Sequence, residues 1–430
     1  MRRLDASAPG FAAEFDALVN DRRESDPDVS ADVAAIIARV KAEGDAALAD
    51  FTAKFDGFDL DASEWSISKA ECAAAYAALV PELRDALNLA ADRIRAYHAA
   101  QLPEDRDYRD ATGARLGARW NAVDAAGVYV PGGRAAYPSS VLMNILPAKV
   151  AGVGRIVMMT PTPGGEINPV VMAAAHIGGV DEIWRIGGAQ AVAALAYGTD
   201  RIAPVDVVTG PGNAWVAEAK RQVYGVVGID MVAGPSEIVV IADAQNDAQI
   251  IAADLLSQAE HDPTSQSILF TDDAAFADAV AAAVDATIPT LGTAATMRES
   301  WDANGAIILV PALADAIPLC DRLAPEHLEL AVDAADADAL FAKVRHAGSV
   351  FLGRQTPEAI GDYVAGPNHV LPTGRRARFS SGLSVSDFMK RTSFLALDDA
   401  SLAAIGPAAV ALAGAEGLPA HALSVSQRLK

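Results

Sequence analysis

A few short stretches of this chain carry residues whose types and spacing suit chemistry. In Asp254-Leu-Leu-Ser-Gln-Ala-Glu-His-Asp262, Gln258 and His261 are three positions apart, hence neighbours on one face if the segment ends a helix. Imidazole is the commonest ligand of a borderline metal ion, and an amide oxygen can complete a mixed nitrogen–oxygen shell. A polar helix end, with His261 capping carbonyls, would use the same residues without a metal. Glu326 and His327, in Ala324-Pro-Glu-His-Leu-Glu-Leu330, put a carboxylate beside an imidazole just before a strand. Neighbours in an extended segment point to opposite sides, so the two would serve different atoms. The imidazole suits proton transfer near neutral pH, and the carboxylate can activate water. The alternative is a solvated loop pair. Asp362 in Gly361-Asp-Tyr and His421 in Glu416-Gly-Leu-Pro-Ala-His421 are further nitrogen and oxygen donors, whereas His98, His176 and His346 sit in helical patterns that favour structural roles. Spacing alone does not decide among these candidates.

Glycine-rich turns form a second group: Tyr129-Val-Pro-Gly-Gly133, Thr160-Pro-Thr-Pro-Gly-Gly165, Gly187-Gly-Ala-Gln190 and Gly210-Pro-Gly-Asn213. Each follows an apolar run. In open α/β sheets ligands bind beyond the carboxyl ends of the strands, and helix N-termini there favour anions such as a pyrophosphate. The dinucleotide fingerprint GxGxxG is absent, because Gly210-Pro-Gly-Asn-Ala-Trp215 breaks it at the last position. The run Gly366-Pro-Asn-His-Val-Leu-Pro-Thr-Gly374, followed by Arg375, Arg376 and Arg378, reads either as an anion site or as a turn with a basic loop.

These groups need elements to hold them. The first hundred residues read as helix: Val33, Ile36, Ile37 and Val40 make one apolar face, and Leu83, Leu87, Ile94 and Tyr97 make another after Pro81. From about Val123 short apolar runs alternate with helical stretches, which predicts parallel sheets with covering helices. The runs are Gly127–Val130, Ile156–Thr160, Glu182–Ile186, Val205–Thr209 and Ile229–Val232, then Ile238–Ala242, Ile268–Thr271, Ala306–Val310, Leu328–Val332 and Val350–Leu352. The economical reading is α/β, with two Rossmann-like domains and small helical extensions at both ends. The expected divisions are 1–25, an N-terminal extension; 26–128 with 237–381, the domain bearing the catalytic candidates; 129–236, the domain bearing the glycine turns; and 382–430, a C-terminal extension. The chain is expected to cross between domains near Tyr129 and again near Ala233–Glu237.

Composition removes other classes. The 430 residues include 56 acidic against 34 basic, a formal charge of −22, which leaves no basic footprint for nucleic acid or an anionic membrane. With 52% apolar residues there is ample core, and at about 150 residues per domain two or three domains are expected. The uncharged stretch Ala400–Ala415 is interrupted by Gly406, Pro407 and Gly414, and is shorter than the roughly 20 apolar residues a spanning helix needs. MRRLDASAPGF lacks the apolar region of a secretory signal. Cys72 and Cys320 form no CxxC, which points to a reduced, cytoplasmic setting.

The motifs together decide more than any one of them. Gly234-Pro-Ser-Glu-Ile, Leu255–Asp262, Ala324–Glu329, Gly361-Asp-Tyr, Asn368-His-Val-Leu-Pro-Thr373, Phe379-Ser-Ser-Gly-Leu-Ser-Val385 and Ala415–His421 stand in one collinear order that resembles the histidinol dehydrogenase family. The resemblance implies a zinc-dependent oxidation of L-histidinol through histidinaldehyde to L-histidine with two NAD, the last step of histidine biosynthesis. It implies zinc on Gln258, His261, Asp362 and His421, one ion per subunit. The last ligand would come from the partner of a homodimer with shared active sites. It implies substrate contacts from Ser236, Gln258, His261, His327, Asp362, Glu416 and His421, NAD contacts from Tyr129, Gln190 and Asn213, and an acid–base pair Glu326 and His327. The alternative is a related NAD-dependent dehydrogenase of another small alcohol, such as a sulfonated diol; Glu416 and the Phe379-Ser-Ser-Gly-Leu run favour histidinol.

Overall fold

The structure is a computed structural model that describes residues 1–21, 29–132, 137–232 and 234–429. Gly133 of the first glycine turn, the division at 26 and Ala233 of the second crossing lie outside the described residues.

Among the described residues the strands form three sheets. The largest is parallel and six-stranded, in the order Arg2–Asp5, Ala306–Leu309, Gln266–Thr271, Glu237–Ala242, His327–Ala331, Ser349–Leu352. The second is parallel and five-stranded, in the order Glu182–Trp184, Arg155–Met159, Ala125–Tyr129, Val207–Thr209, Gly228–Ile229. The central strands of both are buried along their whole length. That is why they read as continuous apolar runs rather than as alternation: helices cover both faces. Each expected run is a strand, with ends shifted by a residue or a few.

Two features depart from the expected fold. Residues 1–25 do not begin as helix, because Arg2–Asp5 adds an edge strand beside Ala306–Leu309. The segment after Gly382 opens with the strand Met389–Ala396, which pairs antiparallel with Arg115–Ala122, itself paired with Arg106–Arg109. This ribbon is largely exposed and rich in charge, so it carries no clean two-residue hydrophobic alternation to betray it. The cores also group the chain differently from the expected divisions. Val33, Ile37, Leu48 and Phe51 pack with Val157, Val192 and Leu195, and Leu87, Ala91 and Ile94 pack with Leu142 and Val128. The helices of residues 30–99 therefore cover the five-stranded sheet, not the six-stranded one.

What positions the site is the amino edge of the six-stranded sheet. His327 opens its strand opposite Ile238 on one side and Ser349 on the other. The helix Ala248–Ala259 follows the strand Glu237–Ala242. It starts at an Asp247 cap that accepts from Gln249 N at 2.9 Å and returns its C-terminal end to the same edge, carrying Gln258 and His261. The helix Glu358–Tyr363 comes back in the same way after Ser349–Leu352 and carries Asp362.

Candidate active site

Glu326 and His327 are buried, at 6% and 5% exposure, rather than solvated. His327 Nδ1 lies 3.2 Å from the carbonyl of Glu237, so it donates there and leaves Nε2 as the basic nitrogen. Nε2 makes no hydrogen bond; the nearest carboxylate oxygen, Glu358 Oε1, is 3.5 Å away. Burial holds the imidazole down at about 4, against the pull of Asp362, so at neutral pH it is an uncharged proton acceptor. Glu326 Oε2 accepts from the backbone N–H of Glu237 at 3.2 Å, and the Ser236 side chain also hydrogen-bonds the carboxylate. Burial, then the charge of Glu237, pushes Glu326 well above the ordinary carboxylate range, with those two hydrogen bonds opposing the shift. Burial in this way makes the ionised carboxylate a stronger proton acceptor.

Around His327 the fold gathers oxygen and nitrogen donors. Atoms of His327, Glu358 and Asp362 come within 4.8 Å of one another. Gln258 is buried and its Oε1 has no hydrogen-bond partner. Behind them lies an acidic layer. Ser257 Oγ donates to Glu358 Oε2 at 3.0 Å, Glu358 N donates to Glu329 Oε2 at 3.4 Å, and Asp254 hydrogen-bonds Glu329. Asp362 is raised to about 6 by burial and by Glu358, and Asp254 is raised to about 6 chiefly by burial. An orphaned amide oxygen, an orphaned imidazole nitrogen and crowded carboxylates are the surroundings a cation would satisfy. The donor set is mixed and lacks cysteine, which fits a zinc that keeps positions open better than a closed structural site.

His327 and Asp362 are thus brought together with Glu358, and Gln258 follows Ser257, whose hydroxyl donates to Glu358. His261 is exposed on the same edge and close enough for its charge to act on Asp362 and His327, but it lies outside the tight group. Glu416, at the end of the helix Asp399–Ala415, and His421, on the helix Pro419–Ser426, are exposed and are not among those donors. Sequence reasoning gave no role to Glu237, Glu358 or His369. His369 sits with Nδ1 3.6 Å from Asp362 Oδ1 and Nε2 3.4 Å from Ser140 Oγ. It stands within a quoted motif, so a signal existed. Glu358, in contrast, reads only as an acid in a helix first turn.

Tyr129, Gln190 and Asn213 all lie at the carboxyl edge of the five-stranded sheet. Tyr129 is buried and its hydroxyl accepts from Gly188 N at 3.1 Å; Gln190 is buried in the next helix; Asn213 caps the helix Ala214–Val223 by accepting from Val216 N at 3.2 Å. The chain is tightly folded at this edge. A Cβ on Gly210, where φ is +114°, would sit 2.1 Å from the Tyr129 carbonyl oxygen, so only glycine fits. This turn is held by an ion pair between Lys220 and Asp230, 3% and 1% exposed, with Lys220 Nζ donating to Gly210 O at 3.0 Å and Asp230 Oδ2 accepting from Gly210 N at 2.9 Å. Asp230→Asn would strand a buried lysine and should cost about 3–5 kcal/mol of stability. A urea midpoint equal to that of the wild type would show that the pair does not hold the turn.

Comparison with known proteins agrees with this geometry. Residues 19–429 match the family model described as histidinol dehydrogenase. A histidinol dehydrogenase of Zymomonas mobilis is 65% identical over 427 residues, covering 99% of both chains. One of Rhodospirillum rubrum is 62% identical over 428 residues, covering 99% of this chain and 98% of that one. The crystal structure of histidinol dehydrogenase from Elizabethkingia anophelis superposes with a TM-score of 0.95 at 35% identity, covering 100% of this chain and 98% of the other. Family, sequence and fold agree along nearly the whole length: the chain belongs to the histidinol dehydrogenase family.

Proposed function

We propose that the enzyme oxidises L-histidinol to L-histidine through histidinaldehyde, using two NAD and one zinc ion per subunit. The single observation that carries this reading is a buried Glu326–His327 pair whose imidazole is gathered with the carboxylates of Glu358 and Asp362. Gln258, His261, Asp362 and the partner subunit's His421 would hold the zinc. When bound, the zinc would orient the substrate amine and imidazole, and NAD would accept hydride from the alcohol carbon. NAD is assigned to the unit around residues 129–236, near Tyr129, Gln190 and Asn213.

The chain's own residues then divide the work. His327 Nε2 takes the alcohol proton, since its Nδ1 is committed to the Glu237 carbonyl. Glu326 takes a proton from the water that attacks the aldehyde, held in place by Ser236 and the Glu237 N–H. Ser236 and Glu416 contact the substrate, and Glu416 offers a carboxylate to its positive amino group. The surrounding protein excludes bulk water and retains the reactive aldehyde. Because Glu416 and His421 are exposed within one chain, a homodimer completes each site. Two free cysteines, both buried, suit a reduced cytoplasm. No helix among the described residues is long and apolar enough to cross a membrane.

The test is stoichiometry and metal dependence. Purified enzyme with L-histidinol should form two NADH per substrate, counted by absorbance. Dialysis against a chelator should abolish the reaction and added Zn²⁺ restore it. His261→Ala should bind less zinc; full zinc by elemental analysis would remove His261 from the ligand set. A sulfonated diol turned over in preference to histidinol would overturn the substrate assignment.

A further inference from the structure

A chain with 34 basic against 56 acidic residues places three arginines in four positions, Arg375, Arg376 and Arg378, and all three line one cavity of about 350 Å³. None is in an ion pair among the described residues. Arg375 Nη1 donates to the Val19 carbonyl at 3.1 Å, Arg376 Nη1 to the Thr373 carbonyl at 3.2 Å, and Arg378 Nε to the Arg375 carbonyl at 3.1 Å. Arg375 Nε is buried and has no hydrogen-bond partner among the described residues. A guanidinium carries five N–H donors, so backbone carbonyls use only part of what these three offer. Of the two carboxylates among the described lining residues, Asp21 is paired with Arg2 at 2.8 Å, while Glu237 pulls on Arg375. Burial, then the charge of Arg378, presses Arg375 below its usual range, with Glu237 opposing the shift. Arg375 also sits at φ 63, left-handed backbone that residues with a Cβ seldom adopt.

The remaining wall is mixed: Leu18, Ile268 and Leu323 line the same space as Asn20 and Gln266. Arginine clusters recognise oxyanions through paired, charge-assisted hydrogen bonds, and three of them offer more donors than a single carboxylate can accept. A phosphate monoester dianion has the charge and the terminal oxygens to use them. The volume is that of an ordinary small-ligand site.

We propose that this cavity is a binding site for a small phosphate monoester, its phosphate held by Arg375, Arg376 and Arg378 and its organic part packed against Leu18, Ile268 and Leu323. The site is separate from the glycine-turn edge of the other sheet. It adjoins the candidate catalytic residues, because Glu237 lines it and donates its backbone N–H to Glu326.

The test is calorimetric titration of phenyl phosphate into full-length, zinc-loaded enzyme saturated with NAD, so that any dinucleotide phosphate site is already filled. One equivalent per chain should bind, and the affinity should fall at least tenfold in Arg375→Gln and in Arg378→Ala. Benzoate, with the same ring and a single carboxylate, should bind at least tenfold more weakly than phenyl phosphate. Arg375 also ties down the Val19 carbonyl, so its variant can lose fold as well as binding. Arg378 is exposed and, among the described residues, its side chain donates only to the Arg375 carbonyl, so its variant, checked by an unchanged melting temperature, decides the matter alone. No binding to the wild type, or binding of equal strength to Arg378→Ala, overturns the proposal.

Discussion

Glu326→Gln is expected to give an enzyme that forms one NADH per histidinol and then stalls, with the oxidation of added histidinaldehyde slowed by about 10²–10⁴-fold. The amide keeps the shape of the carboxylate, and its oxygen can still accept from the Glu237 N–H. What it loses is the ability to take a proton from water, and only the second oxidation needs a water. In the proposed division of work the alcohol step depends on His327, whose Nδ1–H is anchored on the Glu237 carbonyl and so keeps its anchor after the change. Single-turnover measurements starting from histidinol and from histidinaldehyde separate the two halves. An equal loss in both would mean that Glu326 supports the site throughout instead of activating water. A wild-type rate in the aldehyde half would assign the base to another group.

The candidate site residues were legible to different degrees. Gln258 and His261 could be read as helix-end neighbours because a single element sets their spacing. Glu326 and His327 could be read as neighbours at a strand start, but the expected opposite facing fails: His327 Nδ1 lies 3.9 Å from Glu326 Oε2, and both meet the backbone of Glu237. Which atoms they meet could not be read. The Glu237 carbonyl that fixes the tautomer of His327, and the Glu358 carboxylate beyond it, come from strand pairing and from a returning helix separated from His327 by many residues. The acidic layer of Asp254, Glu329 and Glu358 escaped notice for the same reason: each is an ordinary residue in its own segment, and only packing makes them a cluster. The parallel sheets were legible because burial on both faces leaves unbroken apolar runs. The antiparallel ribbon was not, since its strands face solvent and hold their register through Met389–Ala396, far away in sequence from Arg115–Ala122. The helices of residues 30–99 could be recognised by their periodicity, but that periodicity does not say which sheet they cover.

Mixing His261→Ala and His421→Ala subunits, each inactive alone, is expected to restore about one quarter of wild-type activity. The C-terminal unit makes this the natural outcome. The helix Asp399–Ala415 buries only Ser401, Gly406 and Ala413, and the helix Pro419–Ser426 buries none of its residues. Leu395 and Leu412 stand 68% and 64% exposed within the single chain. A unit with so little core of its own and so much uncovered apolar surface needs something to dock on. Its Glu416 and His421 also need a site, since they are not among the donors gathered around His327. Docking on a second copy meets both needs. In a mixed dimer with shared sites, one site would then carry both lesions and the other neither. Random pairing makes about half of the dimers mixed, each with one intact site of two, which gives the quarter. Were each site built from one chain, every site would carry one lesion and no mixture could work. The variants should be unfolded and refolded together, with dimer formation followed by sedimentation. Re-formed dimers without activity would sink the shared site, while the zinc content of the separate variants would still report on the ligands.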